Sequence, residues 1–142
     1  MNKILYIIAT VMLLSCGRDD SESVKMKMEP IISSYVAIGS DSYPRNTEGD
    51  CIELEDGTLL CAFTRFEGYA DIASSCIVGA LSRDHGRTWS VPTIICGNIG
   101  LQNVMSVSLI EVNQKIHLYF LIKNSDTDLQ VYRMIMTDGY KW

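Results

Sequence analysis

The chain has 142 residues, and 12 Lys and Arg against 17 Asp and Glu leave a formal net charge of −5. So acidic a balance argues against nucleic acid as a partner, because gripping phosphate needs a basic face. The length allows one small domain, or part of a larger one.

Residues 1–15 read as an export signal. Lys3 supplies the positive start, and Ile4 to Leu14 is an apolar stretch interrupted only by Tyr6 and Thr10. That length suits a signal core and is too short to span a bilayer as a stable helix. The stretch ends in Leu13-Leu14-Ser15-Cys16, which resembles the lipobox of bacterial lipoproteins. The resemblance implies cleavage before Cys16, a diacylglycerol on its sulfur, and a membrane reached through that anchor. Several acyl chains on one residue hold stably where one would not. An exported, membrane-anchored protein is expected, on the outer-membrane, periplasmic or cell-surface side. Residues 16–30 are small and charged, with the acidic run Asp19-Asp20-Ser21-Glu22, and read as a flexible tether. Losing residues 1–15 removes Lys3 and no acid, so the mature balance is 11 against 17, or −6. No second long apolar run follows, so residues 31–142 are expected to be soluble.

From Cys51 onward the chain is a series of short strand-like runs broken by turn signals. Cys51 to Leu54 leads through Asp56-Gly57 into Leu59 to Thr64, a strong hairpin signal. Ile77 to Leu81 is a third strand and Val91 to Ile95 a fourth, with Ser82 to Trp89 between them. The order then recurs. Val104 to Val112 is a strand, Asn113-Gln114 a turn, and Lys115 to Ile122 a strand alternating Ile116, Leu118, Phe120 and Ile122 on one face. Gln130 to Met136 is the next strand, followed by Thr137 to Trp142. A four-stranded unit recurring about every 50 residues is the pattern of a propeller blade.

The octet Ser82-Arg83-Asp84-His85-Gly86-Arg87-Thr88-Trp89 fits Ser-x-Asp-x-Gly-x-Thr-Trp at every defined position. It resembles the Asp box of the sialidase superfamily. Its expected chemistry is structural: Asp84 accepts backbone N–H groups of its own turn, Gly86 supplies a positive φ, and Trp89 packs its indole between strands. A second, degenerate box has Met136 in place of Ser, with Asp138 one residue closer to Trp142. The resemblance implies an all-β fold in which residues 31–142 form the first two blades of a six-bladed propeller and stop before it closes. It also places the boxes on the face away from the active site, which makes Asp84 a poor catalytic candidate.

Upstream lies Tyr43-Pro44-Arg45-Asn46, where sialidases have aromatic-Arg-Ile-Pro. The resemblance makes Arg45 the first of three arginines that hold the substrate carboxylate, a task suited to a planar guanidinium. Here Pro44 precedes the Arg, which puts strict sialic acid specificity in doubt. On the loop Arg65-Phe66-Glu67-Gly68-Tyr69-Ala70-Asp71-Ile72, Asp71 matches the family's acid/base Asp. A general acid needs a raised pKa, which partial burial near Tyr69 and Ile72 would supply. Arg65 and Glu67 are further candidates for the same rim, and Glu48 is a second candidate carboxylate near Arg45. The family's tyrosine nucleophile, its Glu partner and the other two arginines come from later blades.

The function implied is that of an N-terminal part of a sialidase-like exo-glycosidase acting on glycans, with this chain alone inactive. The alternatives are a non-catalytic cell-surface glycan-binding propeller, or a related polysaccharide-degrading enzyme on the same scaffold. No cofactor and no metal site is expected, since Cys51, Cys61, Cys76 and Cys96 form no C-x-x-C pair. These cysteines read as small buried hydrophobes, and the sequence chooses no disulfide among them. His85 is expected on the surface and His117 as a satisfied structural histidine.

Overall fold

The computed structural model describes residues 32–138 and 140–142. The export signal over 1–15, the tether over 16–30 and the anchor at Cys16 lie outside the described residues.

Seven strands make two antiparallel sheets, with no helix among the described residues. In the first sheet β1 (Arg45–Glu53), β2 (Leu59–Phe66), β3 (Ser75–Ser82) and β4 (Thr93–Cys96) lie side by side in chain order. In the second, β5 (Asn103–Val112), β6 (Lys115–Lys123) and β7 (Leu129–Ile135) do the same. Each strand falls where its apolar run predicts, apart from β1, which begins six residues early at Arg45. Asn46 to Asp50 looks like a loop because it contains Gly49, but it is a bulged strand. The register shifts between Thr47 and Asp50, with Glu48 at φ 54°. Gly49 is required there, since a Cβ would stand 2.9 Å from the Phe63 Cβ. The second sheet repeats this device: β5 shifts register between Met105 and Ser108, with Ser106 at φ 59°. Both positive-φ residues are the fourth of their strand, so the repeat extends to backbone irregularities.

The turns follow their residue types. Gly57 takes φ 78°, and the Thr58 N–H donates to the Asp56 carboxylate at 2.9 Å. Asn113 and Gln114 both take positive φ, 51° and 61°, as a tight two-residue hairpin demands.

The main core lies between the sheets. Leu54, Leu60, Ala62 and Ile77 of the first meet Val104, Leu109, Ile116, Leu118, Phe120 and Ile122 of the second. The alternating stripe on β6 therefore faces inward. Fully burying such a side chain contributes about 1.5–3 kcal/mol. A smaller cluster of Cys61, Phe63, Cys76 and Val78 covers the other face of the first sheet, packed by Val36, Ala37 and Trp89. β2 is thus buried on both faces. Two of the cysteines fit the expected buried role, but Cys51 is exposed and Cys96 half-buried, because both lie on the outermost strands of their sheet.

Candidate functional site

The strand registers divide the candidate residues between two ends of the molecule. The start of β1, the end of β2 and the starts of β3 and β5 share one end, which carries Arg45, Arg65 and the loop from Glu67 to Ser74. The Ser82–Trp89 turn lies at the other, beside the Asp56-Gly57 hairpin.

At the first end Arg45 and Asp71 meet. Nη1 of Arg45 donates to Asp71 Oδ1 at 2.7 Å and to the Tyr69 carbonyl at 2.9 Å. The guanidinium carbon stands 3.8 Å over the centre of the Phe66 ring, a cation–π contact worth about 0.5–2 kcal/mol. The Arg45 Nε is buried with no partner among the described residues. Asp71 is not in the apolar setting expected of it. Its side chain is 76% exposed, and Tyr69 and Ile72 are exposed as well, because the loop stands away from both sheets. The loop is closed at its base, where the Glu67 N–H donates to the Ser74 carbonyl at 2.9 Å.

A residue missed by sequence reasoning helps hold that loop. Asn103, fully buried at the start of β5, donates through Nδ2 to the Asp71 carbonyl at 2.7 Å and the Ala73 carbonyl at 3.2 Å. Arg45 and Asn103 are each the first residue of their strand, and both grip the same loop. The available signal was an amide opening an apolar strand, a polar group that burial obliges to find partners.

Arg65 and Glu48 do not join Arg45. Arg65 donates from Nε to the Asn46 Oδ1 at 3.2 Å and lies over the Tyr43 and Phe63 rings. Glu48 stitches the sheets together, its Oε2 accepting from the Ser106 N–H at 3.0 Å and the Ser106 hydroxyl at 3.3 Å. Asp50 does likewise, accepting from the Leu109 N–H at 2.8 Å. These acids satisfy backbone groups left open by the β5 bulge.

At the other end the octet forms a closed hydrogen-bonded turn. Asp84 Oδ1 accepts from the Thr88 N–H at 2.9 Å and the Ser82 hydroxyl at 2.8 Å, and its Oδ2 accepts from the Thr88 hydroxyl at 2.7 Å. The Gly86 N–H donates to Ser82 Oγ at 2.9 Å. These donors, Thr88 foremost, hold the Asp84 carboxyl down at about 2. Gly86 takes φ 80°, and the exposed His85 shares the left-handed region at 58°. Trp89 packs onto the outer face of the first sheet and donates from Nε1 to Ser34 Oγ at 3.0 Å.

The second turn is built differently. Thr137 and Lys141 form an isolated bridge, and Asp138 makes no side-chain hydrogen bond among the described residues. Tyr140 takes φ 61° at the position matching Gly86, and its hydroxyl donates across to Asp56 Oδ2 at 2.9 Å. Trp142 packs against the main core. His117 is buried and stacks on Tyr119, but its Nδ1 has no partner among the described residues; it is packed without being satisfied.

A depression of about 860 Å³ lies at the second-turn end between Leu54, Asp56, Glu111, Ile116, Met136 and Tyr140. It is far from the half-buried Arg45 and the exposed Asp71. Among the described residues no three His, Cys, Asp or Glu side chains gather as a metal cage. The chain matches no family model and no curated protein.

Proposed function

We propose that this chain is the N-terminal part of an exported, Cys16-anchored lipoprotein, and that its two sheets are the first blades of a sialidase-type propeller acting on glycans. The observation carrying this reading is the division of labour between the ends. The Ser82–Trp89 turn uses its carboxylate wholly on its own donors, while at the opposite end a half-buried Arg45 meets an exposed Asp71. Arg45 Nη2 makes no hydrogen bond among the described residues, which leaves one arm of its fork for a substrate carboxylate. Asp71 is then the proton donor to the leaving oxygen.

The test is turnover of a fluorogenic sialoside by the product of the whole open reading frame, against the 142-residue chain alone. Cleavage by the first and none by the second is expected. Tight binding of the glycan by both, without cleavage, would replace the enzyme by a glycan-binding propeller. One observation favours that second reading: Asp71 is 76% exposed and its Oδ1 is bound to Arg45, not set among apolar groups.

A further inference from the structure

Cys51 and Cys61 stand directly opposite each other on β1 and β2. The Leu54 N–H donates to the Thr58 carbonyl at 2.8 Å, which makes Leu54/Thr58 a hydrogen-bonded pair. Counting back along the alternating ladder, Ile52/Leu60 is another such pair and Cys51/Cys61 is not. Opposed residues at non-hydrogen-bonded positions have Cα atoms about 4.5 Å apart, inside the window of about 4.4–6.8 Å that a disulfide needs. The two side chains share a face. Cys51 is exposed, and Cys61 borders a cavity of about 250 Å³ under residues 34–37.

We propose that Cys51 and Cys61 are a redox-active cross-strand pair, closed to a disulfide by exchange with a low-molecular-weight disulfide. The Cys51 thiolate attacks one sulfur of the reagent, and the first reagent thiolate leaves with the electron pair of the broken bond. The Cys61 thiolate then attacks the Cys51 sulfur of the mixed disulfide and expels the second. The cysteines lose two protons and two electrons, and the reagent gains them as two thiols.

The order of attack follows from the surroundings. The adjacent Cys61 thiol holds Cys51 below the ordinary thiol range, outweighing its partial burial and the Asp50 charge. The same contact, with burial, pushes Cys61 up. The exposed sulfur is therefore the better first nucleophile. Other pairings are blocked. Cys76 lies opposite Arg65, four residues along β2 from Cys61, or about 13 Å. Cys96 is in register with Ile77 and packs on the opposite face of the sheet from Cys76. The clamp would tie edge strand β1, which carries Arg45, to β2.

The experiment exposes the purified chain to oxidised glutathione, blocks remaining thiols with N-ethylmaleimide, and maps peptides by mass spectrometry. A Cys51–Cys61 linked peptide, lighter by two hydrogens and lost on reduction, is expected, with Cys76 and Cys96 alkylated. Cys61→Ser should leave Cys51 trapped as its glutathione adduct. Full alkylation of both residues, stable adducts on both, or links dominated by any other pairing would overturn the assignment. The wild-type map needs no variant to fold.

Discussion

The two sheets start from nearly the same pattern and finish differently. In the first, the turn after β3 closes on itself through Ser82, Asp84 and Thr88, and its last residue, Trp89, continues onto the outer face beside Val36 and Ala37. In the second, the turn after β7 has Met136 where Ser82 stands, and one residue fewer before its Trp. Trp142 then falls where Thr88 would be, so the hydroxyls of Ser82 and Thr88 have no counterparts at the matching positions, and Thr137 and Tyr140 turn theirs to Lys141 and Asp56. The outer face of this sheet is left with Ile110 at 49% and Val131 at 69% exposure. A complete box thus both caps a turn and supplies the cover for a sheet face. Where the spacing fails, both are lost.

The largest expected effect is on association. An open apolar face beside the unpaired edge of β7 should make the isolated chain self-associate and bind hydrophobic dye. Val131→Lys should reduce that association on size-exclusion chromatography; a clean wild-type monomer with one cooperative melt would show the second sheet to be as finished as the first. Next comes Ser82→Ala, which strips a buried hydroxyl from the turn and should cost about 1–3 kcal/mol in denaturant melts. Asp138→Ala, in the second turn, should stay within about 0.5 kcal/mol. Trp89→Phe keeps the packing but loses the Ser34 bond, an expected loss of about 0.5–1.5 kcal/mol. Smallest is a pH effect. The folded Asp84 carboxyl sits at about 2, below the unfolded value of about 3.9. Its stabilisation is therefore complete above roughly pH 4 and lost as pH falls toward 2. The melting gap between wild type and Asp84→Asn should close over that window; a gap independent of pH would mean the charge plays no part.

Six strands were legible as apolar runs bounded by turn residues, and β1 only from Cys51 onward. In the first box the backbone donor to Asp84 and the positive φ of Gly86 were legible, but the Ser82 and Thr88 hydroxyl donors were not. The bulge in β1 was not, since Gly49 signals a loop unless Phe63 is known to press against it. Glu48 was misplaced for the same reason: its partner Ser106 lies 58 residues away, beyond any local pattern. The surroundings of Asp71 were misjudged because Tyr69 and Ile72 supply apolar surface only if the loop folds inward. Arg45 and Asn103 hold it by the Tyr69 and Asp71 carbonyls, with the Tyr69 and Ile72 side chains outward.

In the proposed function Asp71 acts on the leaving oxygen and Asp84 only holds its turn. The measurement that tests it most directly is sialoside turnover per folded molecule for Asp71→Ala and Asp84→Ala, both made in the product of the whole open reading frame. Asp71→Ala should lose about 10²–10⁴ in kcat with its melting temperature little changed, since an exposed ion pair stabilises weakly. Asp84→Ala should melt earlier, yet turn over normally once corrected for folded fraction. A fully folded but inactive Asp84→Ala beside an active Asp71→Ala would reverse the roles and contradict the account.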